Sequence, residues 1–126
     1  MNIVSTAACP APAGHYSQGI VHNGLVYVSG MLGIDPGTGE KKLCSIQKQT
    51  RQALENMDAV LRAAGSGRNQ VIKCTCYIAD MALWGQVNEV YGDFFGDHKP
   101  ARAVVPSREL HYGFLVEIDC IAAVGE

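Results

Sequence analysis

Three polar side chains in this 126-residue chain break apolar patterns with groups able to do chemistry. Arg102 follows Pro100-Ala101 and leads into Ala103-Val104-Val105, which reads as the start of a strand. A guanidinium there is either half of a surface ion pair, worth little, or a planar fork that holds a carboxylate through two hydrogen bonds. Glu117 lies in residues 114–122, which alternate without a break. Phe114, Val116, Ile118 and Cys120 point one way, and Leu115, Glu117, Asp119 and Ile121 point the other. The two carboxylates read as a solvated strand face. If a neighbouring subunit closes that face, they instead need a cation or a bound water. Asn88 interrupts the helical stripe of Trp84, Val87, Tyr91, Phe94 and Phe95. An unpaired buried amide costs about 1–3 kcal/mol, so Asn88 either bonds to nearby loop backbone or walls a pocket. Arg102 and Glu117 fall on the last two strands of the pattern. Together they offer an anion anchor beside a carboxylate able to handle a water, which points to chemistry on a small carboxylic acid.

The elements that must position these groups are read from periodicity. Ile46, Thr50, Ala53, Leu54, Met57, Val60, Leu61 and Ala64 fall at helical spacing, with Ser45 placed to cap the start and Gly65 to stop the end. Residues 71–78 alternate, with Ile72, Cys74, Cys76 and Ile78 on one face of a strand. A second helix is predicted over 82–95, and the last strands over 101–105 and 114–123. Upstream, residues 19–30 read as strand, turn, strand, because Asn23-Gly24 suits a turn that needs positive φ at both central residues. Residues 1–15, rich in alanine and proline, read as an extended arm. The order is β-β-α-β-α-β-β, with both helices on one face of a mixed sheet, which makes the class α+β. The outer face also carries Val, Ile and Tyr, and burial in an oligomer is its expected fate.

The totals narrow the choices further. The length suits one domain, 1–126. A net charge of −2 and a pI near 6.0 give no electrostatic footprint for nucleic acid. The stretch MNIVSTAACPAPAG has neither a basic residue nor an apolar run of seven, so no secretory signal is expected. No apolar run approaches the length of a transmembrane helix. Five cysteines are an odd count, read as reduced thiols of a cytoplasmic protein. Cys74 and Cys76 share a strand face but lack a second pair, so they read as core thiols rather than zinc ligands. Walker A, G-x-S-x-G and G-x-G-x-x-G motifs are absent from the sequence.

Four segments together resemble the RidA/YjgF family of reactive enamine/imine deaminases, known also as the L-PSP endoribonuclease family. They are residues 11–19, APAGHYSQG; residues 28–30, VSG; residues 87–95, VNEVYGDFF; and the pair KPAR at 99–102 with VEIDCIA at 116–122. None is specific alone. Their joint occurrence, in order and almost end to end, is. The resemblance implies a chorismate-mutase-like fold and a homotrimer with pockets in the clefts between subunits. A 2-iminium carbon is already electrophilic, so no cofactor or metal is expected, and the charge and hydropathy above speak against a nucleic-acid partner and a membrane. Carried over residue by residue, Arg102 would grip the substrate carboxylate and Glu117 would activate water. Tyr16, Ser29, Gly30 and Asn88 would line the pocket, with Gly30 and Val104 acting mainly through their backbone. The implied reaction takes 2-aminoacrylate and related 2-imino acids to 2-keto acids and ammonia.

Some positions depart from the family pattern. His15 stands where proline is usual, Met31 where glutamine is common, and Val104 where a cysteine often lies. Residues 107–113, SRELHYG, are bulkier than the usual Leu-Pro-x-Gly connection. These departures bear on substrate range. Competing readings are a deaminase of a larger, aminomuconate-like enamine and a non-catalytic trimeric module that binds small carboxylic acids or a partner enzyme. A ribonuclease is disfavoured, because no basic groove and no histidine pair suited to phosphodiester cleavage are evident in the sequence.

Overall fold

The N-terminal residues do more than extend. In the computed structural model, which describes residues 1–125, β1 (Asn2–Val4) pairs antiparallel with β2 (Gly19–His22). Gln18 pins the arm between them. Its amide nitrogen donates to the carbonyls of Thr6, Cys9 and Pro10 at 3.0–3.2 Å, and its oxygen accepts from the Thr6 N–H at 2.7 Å. The Asn23-Gly24 turn follows, with φ of 51° and 77°. It folds β2 onto β3 (Leu25–Met31) as the twist of a hairpin requires.

Helix α1 (Ile46–Ala63) begins where Ser45 Oγ accepts the Lys48 N–H at 3.1 Å. It ends at Gly65, which takes φ of 80°. Its stripe of Ala53, Leu54, Met57, Val60 and Leu61 is fully buried. Strand β4 (Val71–Ile78) comes next. Asp80 then caps a tight turn at Met81–Leu83, so α2 (Trp84–Phe95) starts two residues later than periodicity suggests. Strands β5 (Ala101–Pro106) and β6 (Val116–Ala123) complete the sheet.

The strand order is β1-β2-β3-β6-β4-β5. Every pairing is antiparallel except β4 with β5, the pair joined through the α2 crossover. The class is α+β as expected, with one strand more than the periodicity showed. Cys74, Cys76 and Ile78 on β4, with Val116, Ile118 and Cys120 on β6, form the sheet side of the core. Burial pushes the Cys74 thiol to about 11 and the Cys76 thiol to about 12, so both are inert packing groups. One facing assignment is corrected. A register shift between Val71 and Lys73 turns Val71 into the core and leaves Ile72 47% exposed, because one extra residue inverts the alternation upstream of it. The outer face leaves Tyr27 and Val105 exposed in the single chain.

Candidate active site

Arg102 lies opposite Cys74 on β4, and Val104 lies opposite Cys76. Registered neighbours share a sheet face, so both side chains take the helix side with the buried thiols. Val104 packs against the core there. The guanidinium runs beneath α2, where its Nη1 donates to Asn88 Oδ1 at 2.8 Å. Its carbon sits 4.7 Å from the centre of the Tyr91 ring and 5.8 Å from that of Trp84. Asn88 therefore bonds to the arginine rather than to loop backbone. Among the described residues the ion pairs are Lys42–Glu40, Arg62–Asp58 and Arg68–Asp58. Arg102 takes part in none of them. It is held by an amide and an aromatic face, with further N–H groups free for an incoming carboxylate. A cavity of about 400 Å³ opens beside it, lined by Asn88, Tyr91, His98, Lys99 and Arg102 among others. Because β5 is the edge strand, one side of its backbone near Val104 is also left without a strand partner.

Glu117 is built from other elements. Between the Val28–Cys120 and Met31–Ile118 pairs, β3 spends two residues, Ser29 and Gly30, where β6 spends one, Asp119. This bulge brings β3 backbone under the neighbouring side chains of β6. The Glu117 carboxylate folds over Gly30, where a Cβ would lie 2.9 Å from its Cδ and closer still to Oε2. Burial, then the like charge of Asp119, pushes Glu117 above the usual carboxylate range, and His111 acts weakly the other way. Burial also raises Asp119, partly offset by a hydrogen bond from the Thr75 backbone. Ser29 is committed locally, since its hydroxyl donates to the Ser17 carbonyl at 2.6 Å. Tyr16 and Gly30 line a smaller cavity of about 80 Å³ with His111 and Tyr112.

The site residues thus form two groups. Arg102, Asn88 and Val104 gather on the helix side at the β5 edge. Glu117 and Gly30 meet on the outer face, with Tyr16 beside Gly30 and Ser29 anchoring the bulge. Within one chain the groups do not meet. β4 separates β5 from β6, and Arg102 and Glu117 leave opposite faces of the sheet. Their adjacency in the sequence pattern does not survive folding, because the last strand inserts between β3 and β4. Tyr91, which supports Arg102, read only as part of an apolar stripe. His111 and Tyr112 were visible only as bulk in a connection.

Residues 6–124 match the family described as Endoribonuclease L-PSP. The chain belongs to the RidA/YjgF family. It is 44% identical to a RutC family protein of Pyrococcus horikoshii, covering 95% of each chain. It is 39% identical to the 2-iminobutanoate/2-iminopropanoate deaminase of Mus musculus, covering 98% of this chain and 91% of the relative. Among solved structures, E. coli TdcF with bound serine superposes with a TM-score of 0.95 at 34% identity, covering 99% and 100% of the two chains. Relatives of this RidA-type chain therefore include proteins named as imine deaminases and one crystallised with a small amino acid. Among its own described residues, no helix is long and apolar enough to cross a membrane.

Proposed function

We propose that this protein hydrolyses 2-imino acids and their enamine tautomers to 2-keto acids and ammonia, at sites shared between copies in a homotrimer. The observation that carries this reading is the separation just described. A pre-oriented arginine without a carboxylate partner and a carboxylate raised by burial lie on opposite faces of one sheet. Head-to-tail association around a closed ring would face one against the other. The kinship with named imine deaminases supports the same reaction class.

The chemistry follows from the groups. Arg102, steadied by Asn88, holds the substrate carboxylate and fixes C2 of the iminium near Glu117 of a second copy. C2 is already electrophilic. Glu117 takes a proton from water as its oxygen bonds to C2, giving a neutral carbinolamine. It returns that proton to nitrogen, and the C–N bond breaks as ammonia leaves. The hydroxyl proton passes out through Glu117, so iminium and water become keto acid and ammonium. A raised carboxylate pKa brings the group nearer to working pH for both transfers.

The test generates imines in situ with an amino acid oxidase and follows keto-acid release. Arg102→Ala and Glu117→Ala are each expected to lose about 100-fold or more. Mixing the two inactive variants with subunit exchange should restore about one quarter of the sites, since a random ring pairs intact Arg102 with intact Glu117 at that frequency. No recovery on mixing would sink the shared site. Wild-type protein inert toward every imine, yet binding small amino or keto acids in calorimetry, would favour a non-catalytic binding module, a reading the serine-bound relative makes specific.

A further inference from the structure

The cavity beside Glu117 is small and oddly walled. It holds about 80 Å³ and is lined by Tyr16, Gly30, Met31, Ile34, His111 and Tyr112 among others. The Glu117 carboxylate lies over Gly30, so this space adjoins the proposed base. A cavity of about 150 Å³ suffices for a benzene ring, and this one is about half that size. Its rim is set by an unusual turn. Tyr112 takes φ of 60° and ψ of 13°, left-handed backbone that a bulky side chain rarely adopts. Gly113 follows at φ of 80°. The ring is placed by neighbours rather than by burial. Lys41 Nζ sits 4.7 Å from its centre, the His111 ring lies 3.8 Å away and Phe114 meets it edge-on at 6.4 Å. It nonetheless stays 45% exposed in the single chain. Core packing therefore does not account for a tyrosine in that conformation, and strain kept without burial points to a role at the cavity.

We infer that Tyr112, backed by His111, is the wall that limits the side-chain pocket beside Glu117, admitting short aliphatic 2-imino acids and excluding aromatic ones. This rests on the deaminase reading above. Tyr112 is a specificity residue here and touches the reacting atoms in no step.

The experiment compares kcat/KM for the imines of phenylalanine and alanine, each formed in situ by an amino acid oxidase. Tyr112→Gly suits the backbone conformation and is expected to fold, which thermal melting checks; Tyr112→Ala is the second variant. Both should raise the phenylalanine-to-alanine ratio at least tenfold over wild type, about 1.4 kcal/mol of discrimination. Tyr112→Phe, which keeps the bulk, should leave the ratio where it was. An unchanged ratio in folded Tyr112→Gly and Tyr112→Ala overturns the wall, as does a Tyr112→Phe shift as large as theirs. If wild type hydrolyses neither imine, the deaminase reading fails separately. The wall is then judged by the binding ratio of phenylpyruvate to pyruvate, with the same tenfold rise supporting it and no rise overturning it.

Discussion

Replacing Gly30 with alanine separates the proposed chemistry from the fold. The new Cβ would stand 2.9 Å from Glu117 Cδ and 3.2 Å from its Cγ, against the end of a flexible side chain. Turning that side chain off its rotamer costs about 0.5–1.5 kcal/mol. Restricting the unfolded chain returns about 0.4–1 kcal/mol. The two nearly cancel. At about 4 °C per kcal/mol for a chain of this size, Tm should move by less than about 4 °C. The carboxylate must retreat by about 1 Å to reach ordinary contact, and misplacement on that scale costs about 100-fold in rate. Gly30→Ala is therefore expected to melt normally and to lose about 100-fold in kcat/KM for in situ 2-imino acids.

Gly33→Ala makes the converse control. Its Cβ would meet backbone, 2.8 Å from Gln49 Cα and 2.9 Å from the Gln49 carbonyl oxygen. The bend that follows β3 and helix α1 must then part, at about 1–3 kcal/mol, or about 4–12 °C in Tm. Folded Gly30→Ala with activity within threefold of wild type would refute Glu117 over Gly30 as the group that handles water. A drop in its Tm comparable to that of Gly33→Ala would refute the argument that the carboxylate moves cheaply.

Arg102→Lys keeps the charge but loses the planar fork and its bond to Asn88; KM for the imine should rise about 10- to 100-fold, the worth of one charge-assisted hydrogen bond. Arg68→Ala removes the 3.2 Å pair with buried Asp58, the 2.9 Å bond to the Phe94 carbonyl and the contact with the Phe94 ring; Tm should fall by about 6–12 °C with kcat/KM for the folded enzyme unchanged. Activity should rise with pH on a limb whose midpoint lies above the usual carboxylate range, because Glu117 must be ionised to accept the proton. Asp119→Asn removes the like charge and should move that midpoint down in a pH–rate profile. Stability runs the opposite way from activity. With folded-state values raised at Glu117 and Asp119, the native protein binds more protons than the unfolded chain in that window, so stability is lost as pH rises through it. Urea titrations at several pH values should show that slope, and Asp119→Asn should flatten it.

Local pattern carried much of the architecture. Alternation assigned each β6 side chain from Val116 to Ile121 to its proper face, and Ser45, Asn23-Gly24 and Gly65 marked real boundaries, since caps and turns depend only on near neighbours. What failed was non-local. Alternation says which residues of one strand share a face but not which face of the sheet that is, and Arg102 and Glu117 fell on opposite sides. The bulge at Ser29-Gly30 and the shift between Val71 and Lys73 depend on the partner strand. Strand β1, only three residues long, is too short to show a period. Asn88 was legible as either bonded to loop backbone or part of a pocket wall; it lines the cavity beside Arg102, and the bond it makes to that arginine was in neither reading.

The pairing of Glu117 with Asp119 on one open face has a consequence for assembly. In the single chain both are already raised by partial burial. Any copy that covers this face removes more water from them and raises them further unless it brings a cation. On the proposed reading Arg102 of that copy is such a cation. The substrate carboxylate matches its charge, but the iminium carries a positive charge of its own and stands at C2 beside Glu117, whereas the substrate-free site has only the guanidinium, one substrate length away. Substrate binding should accordingly shift the Glu117 midpoint downward relative to the free protein. The pH profile of kcat, which reports the loaded site, should therefore have its acidic limb at lower pH than that of kcat/KM, which reports the free one. Coincident limbs would mean that the iminium does not sit beside Glu117.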